Sequence, residues 1–191
     1  MHHLHGFSVI LGLNAKPMKK LFALFLLSAF VIACSSDAED AEFTGNEVEM
    51  EMIPGAVNGN QTTGTLLIRE RKGGSAQVEI TLNGVINNAN HPVHLHFGSL
   101  ADDGNIATLL NPIEEIDGVG KSSTILNVLE NGSTISYSDL LTFDGSIKIH
   151  FEASGPMKDE ILGSTNIGLN ADQNSAYLSG KKSITICNSE Y

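Results

Sequence analysis

The sequence predicts an all-β fold, a β-sandwich or barrel of short strands with at most one short helix. Three observations carry that expectation. Runs of alternating polar and apolar residues recur from Glu47 onward. Turn dipeptides separate them, at Asn58-Gly59, Gly73-Gly74, Asn83-Gly84, Asp103-Gly104, Asn131-Gly132 and Asp144-Gly145, and only one stretch carries a helix-start signal. Alternation places successive side chains on opposite faces of a strand, and Asn-Gly or Asp-Gly supplies the positive φ of a tight turn.

In chain order, targeting comes first. Residues 1–17, with His2, His3 and His5, precede a complete signal peptide and read as an upstream extension from a start assigned too early. Residues 18–33 are that peptide: Lys19 and Lys20, then an apolar run from Leu21 to Ile32 broken only by Ser28. A membrane span needs about 20 apolar residues, so this shorter run fits a secretory h-region instead. Val31-Ile32-Ala33-Cys34 looks like a bacterial lipobox, which implies cleavage before Cys34 and lipidation of its sulfur. Residues 34–45 include the acidic stretch Ser35 to Glu42 and read as a solvated tether, similar also to the surface-export signal of some lipoproteins. The expected location is the bacterial cell envelope, at the outer membrane and exposed on the surface, with the lipid on Cys34 as the membrane contact.

Residues 46–191 form the expected single domain. Glu47 to Ile53 alternates, and Pro54-Gly55 ends it. Further strands are expected at Thr63 to Arg69, Gln77 to Val85, Pro92 to Phe97, Ala107 to Leu110, Ser122 to Val128, Ser146 to Phe151, Thr165 to Leu169 and Ser183 to Cys187. The helical turn is expected at Ser136 to Leu141, with Ser138 as its cap.

Charge and motif content exclude several functions. The 191 residues hold 11 basic and 22 acidic side chains, and from Cys34 onward eight basic residues face 22 acidic ones, a net of −14. The basic residues are scattered and form no phosphate-binding stripe, so nucleic acid is not an expected partner. Gly118-Val119-Gly120-Lys121-Ser122 has Glu115 where a phosphate loop needs its first Gly. No GxSxG nucleophile elbow occurs, and Glu114-Glu115 and Asp102-Asp103 read as loop charges. Ala101 to Asn105 offers oxygen ligands without the spacing of a calcium loop. Lipidation of Cys34 leaves Cys187 without an intramolecular partner, and its β-rich surroundings mark it as a small packed thiol.

Histidine is the residue whose pattern suggests chemistry. In Pro92-Val93-His94-Leu95-His96-Phe97, a strand sets Val93, Leu95 and Phe97 on one face and His94 and His96 on the other. In Ser146 to Glu152 the apolar face is Ile147, Ile149 and Phe151, so His150 points away with Lys148 and Glu152. All three imidazoles are therefore expected on the outer face of a core-forming sheet, with His91 in the preceding loop. Two imidazoles from one strand face and a third from a neighbouring strand suit copper or zinc, and Glu152 is a candidate support for His150. The alternative is that His94, His96 and His150 hydrogen-bond backbone or loop groups under a covering loop.

The order of features also resembles a chordin-type (CHRD) domain over about residues 47–170. That family has a strand ending in HxH-Gly, a short Leu-rich segment, a strand ending in Val-His and a closing GEIRG. This chain has His94-Leu95-His96-Phe97-Gly98, Asp139-Leu140-Leu141, Ile149-His150 and Asp159-Glu160-Ile161-Leu162-Gly163, with Phe97 inserted and Leu162 in place of Arg. A second similarity is to copper/zinc superoxide dismutases, whose Greek-key barrel carries an HxH strand and a later His strand. It implies a Greek-key-like topology here and matches His94, His96 and His150 to three copper ligands. The bridging His of that family is missing, since no His lies between His96 and His150. The first resemblance implies a non-catalytic binding or structural module with a protein or glycan partner at the cell surface. The second implies a copper- or zinc-binding protein with a three-histidine site.

Overall fold

A computed structural model describes residues 42–85 and 90–187. The leader, Cys34 and residues 35–41 of the acidic tether lie outside the described residues; Phe43 to Gly45, expected in the tether, instead begin β1, with Phe43 buried. Nine strands follow one another: β1 (Phe43–Glu51), β2 (Ile53–Pro54), β3 (Thr63–Arg71), β4 (Ala76–Asn83), β5 (His91–Phe97), β6 (Ile106–Ile116), β7 (Val119–Leu126), β8 (Asp144–His150) and β9 (Ile161–Gly168). Alternation is the local cause, as β1 shows: Val48 and Met50 pack against the core while Glu47, Glu49 and Glu51 stay exposed.

The strands hydrogen-bond in the order β1-β3-β4-β7-β6-β5-β8-β9-β2, every pair antiparallel. β5, β6 and β7 are consecutive neighbours and β4 returns beside β7, which is a Greek key. Two elements turn this ribbon into a nearly closed barrel. β6 pairs with β5 through Ile113 and with β7 from Glu114 onward, so it bends from one half of the sheet into the other. At the other side β1 pairs with β3, and after Met52 the same segment continues as β2 and pairs with β9. Between the two halves lie Leu66, Ile68, Ile80, Leu82, Leu95, Ile147 and Ile149, each almost fully buried. Each such side chain stabilises the fold by about 1.5–3 kcal/mol.

The all-β expectation holds, with several local differences. Helix α1 (Tyr137–Leu140) is capped by Ser136, not Ser138: the Ser136 side chain accepts from the Asp139 amide, and the Asp139 carboxylate accepts from the Ser136 amide in return. A 3-10 turn (Ala171–Gln173) and α2 (Asn174–Leu178) follow β9. β6 runs well past Leu110, the expected end, since Pro112 sits at an irregularity in the β5 pairing where a missing N–H is tolerated. Glu114 and Glu115 are therefore successive strand residues on opposite faces, not loop charges. His91 is the first residue of β5 and is buried, not a loop residue. Phe97, expected on the core face, is 40% exposed and its ring lies beside Phe143.

Residues 183–187 form no strand. The outer edge of β9 is already occupied, by β2 at Ser164 and by the Asn174 side chain at Asn166. Asn174 accepts from the Asn166 amide through Oδ1 and donates to the Asn166 carbonyl through Nδ2, as a neighbouring strand would.

Candidate metal centre

The register of β5, β8 and β9 builds the centre. His94 pairs with Lys148 and Lys148 with Ser164; His96 pairs with Ser146 and Ser146 with Asn166. Directly paired residues share a face, so these form two parallel polar rows across three strands, and His150 lies two residues beyond Lys148 on that face. The alternation expected from sequence is thus correct, and it brings all three imidazoles together. One nitrogen from each of His94, His96 and His150 lies within 4.8 Å of the other two. Ring centroids are 4.6 Å apart for His94 and His150 and 5.7 Å for His94 and His96.

The face is not an outer one. His94, His96 and His150 are only 0–3% exposed. A second small core of Ile53, Leu100 and Tyr177, with Ile184 against it, covers this side of β9 and β8. Leu100 is tied down through its amide, which donates to Asn166 Oδ1. Sequence alternation distinguishes the two faces of a strand but says nothing about which long-range segment covers the polar one.

Two backbone carbonyls set the state of the imidazoles. His96 Nδ1 lies 2.8 Å from the Gly104 carbonyl and His150 Nδ1 lies 2.7 Å from the Lys158 carbonyl. A carbonyl only accepts, so each Nδ1 carries the proton and each Nε2 presents a lone pair. The expected support from Glu152 does not occur at this ring. The Glu152 carboxylate instead accepts from the Met157 amide at 2.6 Å. Gly104 reaches His96 because it has no side chain: a Cβ there would sit 1.7 Å from the Phe97 carbonyl oxygen. His150 Nε2 is buried and has no hydrogen-bond partner among the described residues.

Burial keeps all three rings neutral. It is the main cause that lowers His94 to about 3, with the charges of His150 and His96 adding to it. It is also the main cause for His96, at about 4, where the Gly104 carbonyl acts in the opposite sense and Lys148 lowers further. His150 is lowered too, again chiefly by burial. The neutral form is the one that ligates metal.

Three neighbours escaped the sequence reading. Lys148, expected to point outward, is 1% exposed and donates to the carbonyls of Thr185 (3.0 Å) and Asp102 (3.3 Å). Flanked by Ile147 and Ile149, it looked like an ordinary solvent-facing residue of an alternating strand. His91 donates from Nδ1 to the His150 carbonyl at 3.1 Å, and so helps place the third imidazole. Cys187 is a packed thiol, as expected, but its Sγ lies 3.5 Å from His96 Nε2, and burial pushes it up to about 11. Two oxygen groups of the 101–105 loop are engaged elsewhere: the Asp102 carboxylate accepts from the Ser99 amide and hydroxyl, and the Gly104 carbonyl accepts from His96.

No protein-family model and no curated protein matches the chain.

Proposed function

We propose that this domain holds one transition-metal ion, zinc or copper, on His94, His96 and His150, and that the ion is a structural element of a non-catalytic module carried at the bacterial surface by lipid on Cys34. The observation that carries the reading is His150 Nε2: a buried lone pair with no hydrogen-bond partner among the described residues, on a ring grouped with two other neutral imidazoles. Leaving such an atom unpaired costs about 1–3 kcal/mol, which ligation would offset.

The donor set fits. Metal–nitrogen bonds of about 2.0–2.1 Å in a tetrahedral centre separate the nitrogens by about 3.3 Å. The three nitrogens, within 4.8 Å of one another, reach that spacing by small side-chain rotations. Imidazole favours zinc and copper over calcium or magnesium, and the carbonyl-held Nδ1–H groups of His96 and His150 are the supports such ligands usually have. Burial argues against catalysis, because a catalytic metal keeps an open position for water or substrate, while these ligands lie at 0–3% exposure. The test is elemental analysis and zinc and copper titration of the wild type against His96→Ala. One ion per chain, lost in the variant, is expected; absence of stoichiometric binding in the wild type overturns the reading.

A further inference from the structure

We propose that Cys187 is the fourth ligand of this centre, so that the metal is enclosed by three imidazoles and one thiolate. The inference rests on the three-histidine reading and extends it to a closed His3Cys donor set, whose natural occupant is a thiophilic, tetrahedral ion, zinc foremost.

Distance is the first argument. With metal–nitrogen bonds of about 2.0–2.1 Å and a metal–sulfur bond of about 2.3 Å, tetrahedral geometry places neighbouring nitrogen and sulfur ligands about 3.5 Å apart. Cys187 Sγ and His96 Nε2 are 3.5 Å apart; the group of ligand atoms mutually within 4.8 Å holds the three imidazoles without Cys187, so Sγ has to close on His94 and His150 as the ion binds. Because the Gly104 carbonyl fixes the His96 proton on Nδ1, the contact without metal is S–H donating to the Nε2 lone pair. A dication replaces that proton: the S–H bond breaks, sulfur keeps the electron pair and forms the metal–sulfur bond, Nε2 forms a metal–nitrogen bond, and one proton leaves to solvent.

The second argument is how the cysteine is held. Thr185, two residues before it, is fixed by three hydrogen bonds: its amide to the Leu100 carbonyl at 2.8 Å, its hydroxyl to the Ala101 carbonyl at 2.8 Å, and its carbonyl from Lys148 Nζ at 3.0 Å. Ile184 packs on Ile53, Leu100 and Tyr177. The segment is thus anchored through side chains and a single backbone bond to the 99–101 loop. A β-strand role would not require this arrangement.

Charge is the third. Three neutral imidazoles bring no negative charge to a bound dication; Lys148 acts on both His96 and His150, opposed by Asp103 at His96 and Asp159 at His150, none of them a ligand atom of the group. Burying unbalanced charge is costly, and a thiolate removes one unit of it inside the ligand shell. His150 Nε2, buried and without a hydrogen-bond partner among the described residues, belongs to the imidazole group that Cys187 meets through His96.

Cobalt(II) is the probe, because thiolate ligation gives a near-ultraviolet charge-transfer band that imidazole alone does not. The chain holds two cysteines, so full-length Cys34→Ser protein in detergent has Cys187 as its one thiol. The expected result is a charge-transfer band and tetrahedral visible bands in both the wild type and Cys34→Ser. In Cys187→Ser the charge-transfer band should vanish and zinc affinity should fall by about 100-fold or more, beyond the usual cost of losing a supporting hydrogen-bond partner. Visible bands of bound cobalt without the charge-transfer band in Cys34→Ser overturn the role of Cys187 and leave the three-histidine reading standing. Failure of the wild type to bind either cobalt or zinc overturns both. The Cys34→Ser spectrum decides the matter even if Cys187→Ser does not fold.

Discussion

Acid should unfold the metal-free domain through its histidines, at a pH where its carboxylates are still ionised. In the unfolded chain an imidazole titrates near 6.5; in the fold His94 is held down to about 3 and His96 to about 4 by burial. The unfolded state therefore binds more protons once pH drops below about 6.5, and stability present above that pH is lost as pH falls, until the folded rings protonate near pH 3–4. Each ring contributes about 1.4 kcal/mol per pH unit in that window, so His94 and His96 together remove about 5 kcal/mol between pH 6.5 and 4.5. His150, shifted in the same direction, adds to the loss. A domain of this kind has about 5–15 kcal/mol in total, so the effect is large. The carboxylates lowered by hydrogen bonds, Glu70, Asp102 and Asp139, act in a lower window, below their ordinary values near 4. Urea unfolding of chelator-treated protein, followed by circular dichroism at half-unit steps from pH 7.5 to 4.5, measures the slope. A stability that stays flat from pH 7 to 4.5 would refute burial of the imidazoles, and with it the covered face on which the site rests.

Gly104→Ala should lower zinc affinity by about 10–100-fold, because the added Cβ meets the Phe97 carbonyl and displaces the carbonyl that orients His96; isothermal titration reads it. His91→Ala should lower stability by about 1–3 kcal/mol in urea, since it removes the buried donor to the His150 carbonyl, while weakening metal binding less than His96→Ala does. Cys34→Ser should leave an uncleaved or soluble protein; a mature-size lipidated species partitioning into detergent in that variant would show the lipobox reading to be wrong.

How much of this was legible depended on the range of the cause. Strand alternation is local, so the shared face of His94 and His96, and the face of His150 on its own strand, followed from single segments; that the two strands are neighbours is a matter of sheet order and did not. A cover with backbone hydrogen bonds to the rings belonged to the alternative reading, and His96 and His150 do bond to the Gly104 and Lys158 carbonyls; which residues form the cover was not legible, because Leu100, Tyr177 and Ile184 come from three distant segments that meet only in the fold. Glu152 lies beside His150 in sequence and was the natural candidate to support it, yet a backbone carbonyl takes that place, and carbonyls leave no trace in residue identity. Ser183 to Cys187 alternates like a strand, but the edge that would receive it is occupied by β2 and the Asn174 amide. Local pattern gives the propensity of a segment, and the vacancy for it is a property of the whole sheet.

The covering segment also has a consequence for timing. Thr185 meets Leu100 and Ala101, residues made more than eighty positions earlier, and Lys148 reaches its carbonyl from β8. During synthesis the barrel strands through β9 emerge before residues 183–187 exist. Until then the polar rows of β5, β8 and β9 lack this part of their cover and their imidazoles are more open to water and protons. A chain crossing a membrane in extended form would carry these ligands apart, and the site would assemble only after residues 183–187 had followed. The ion it takes up would then be drawn from the compartment of arrival, not from the one where the chain was made.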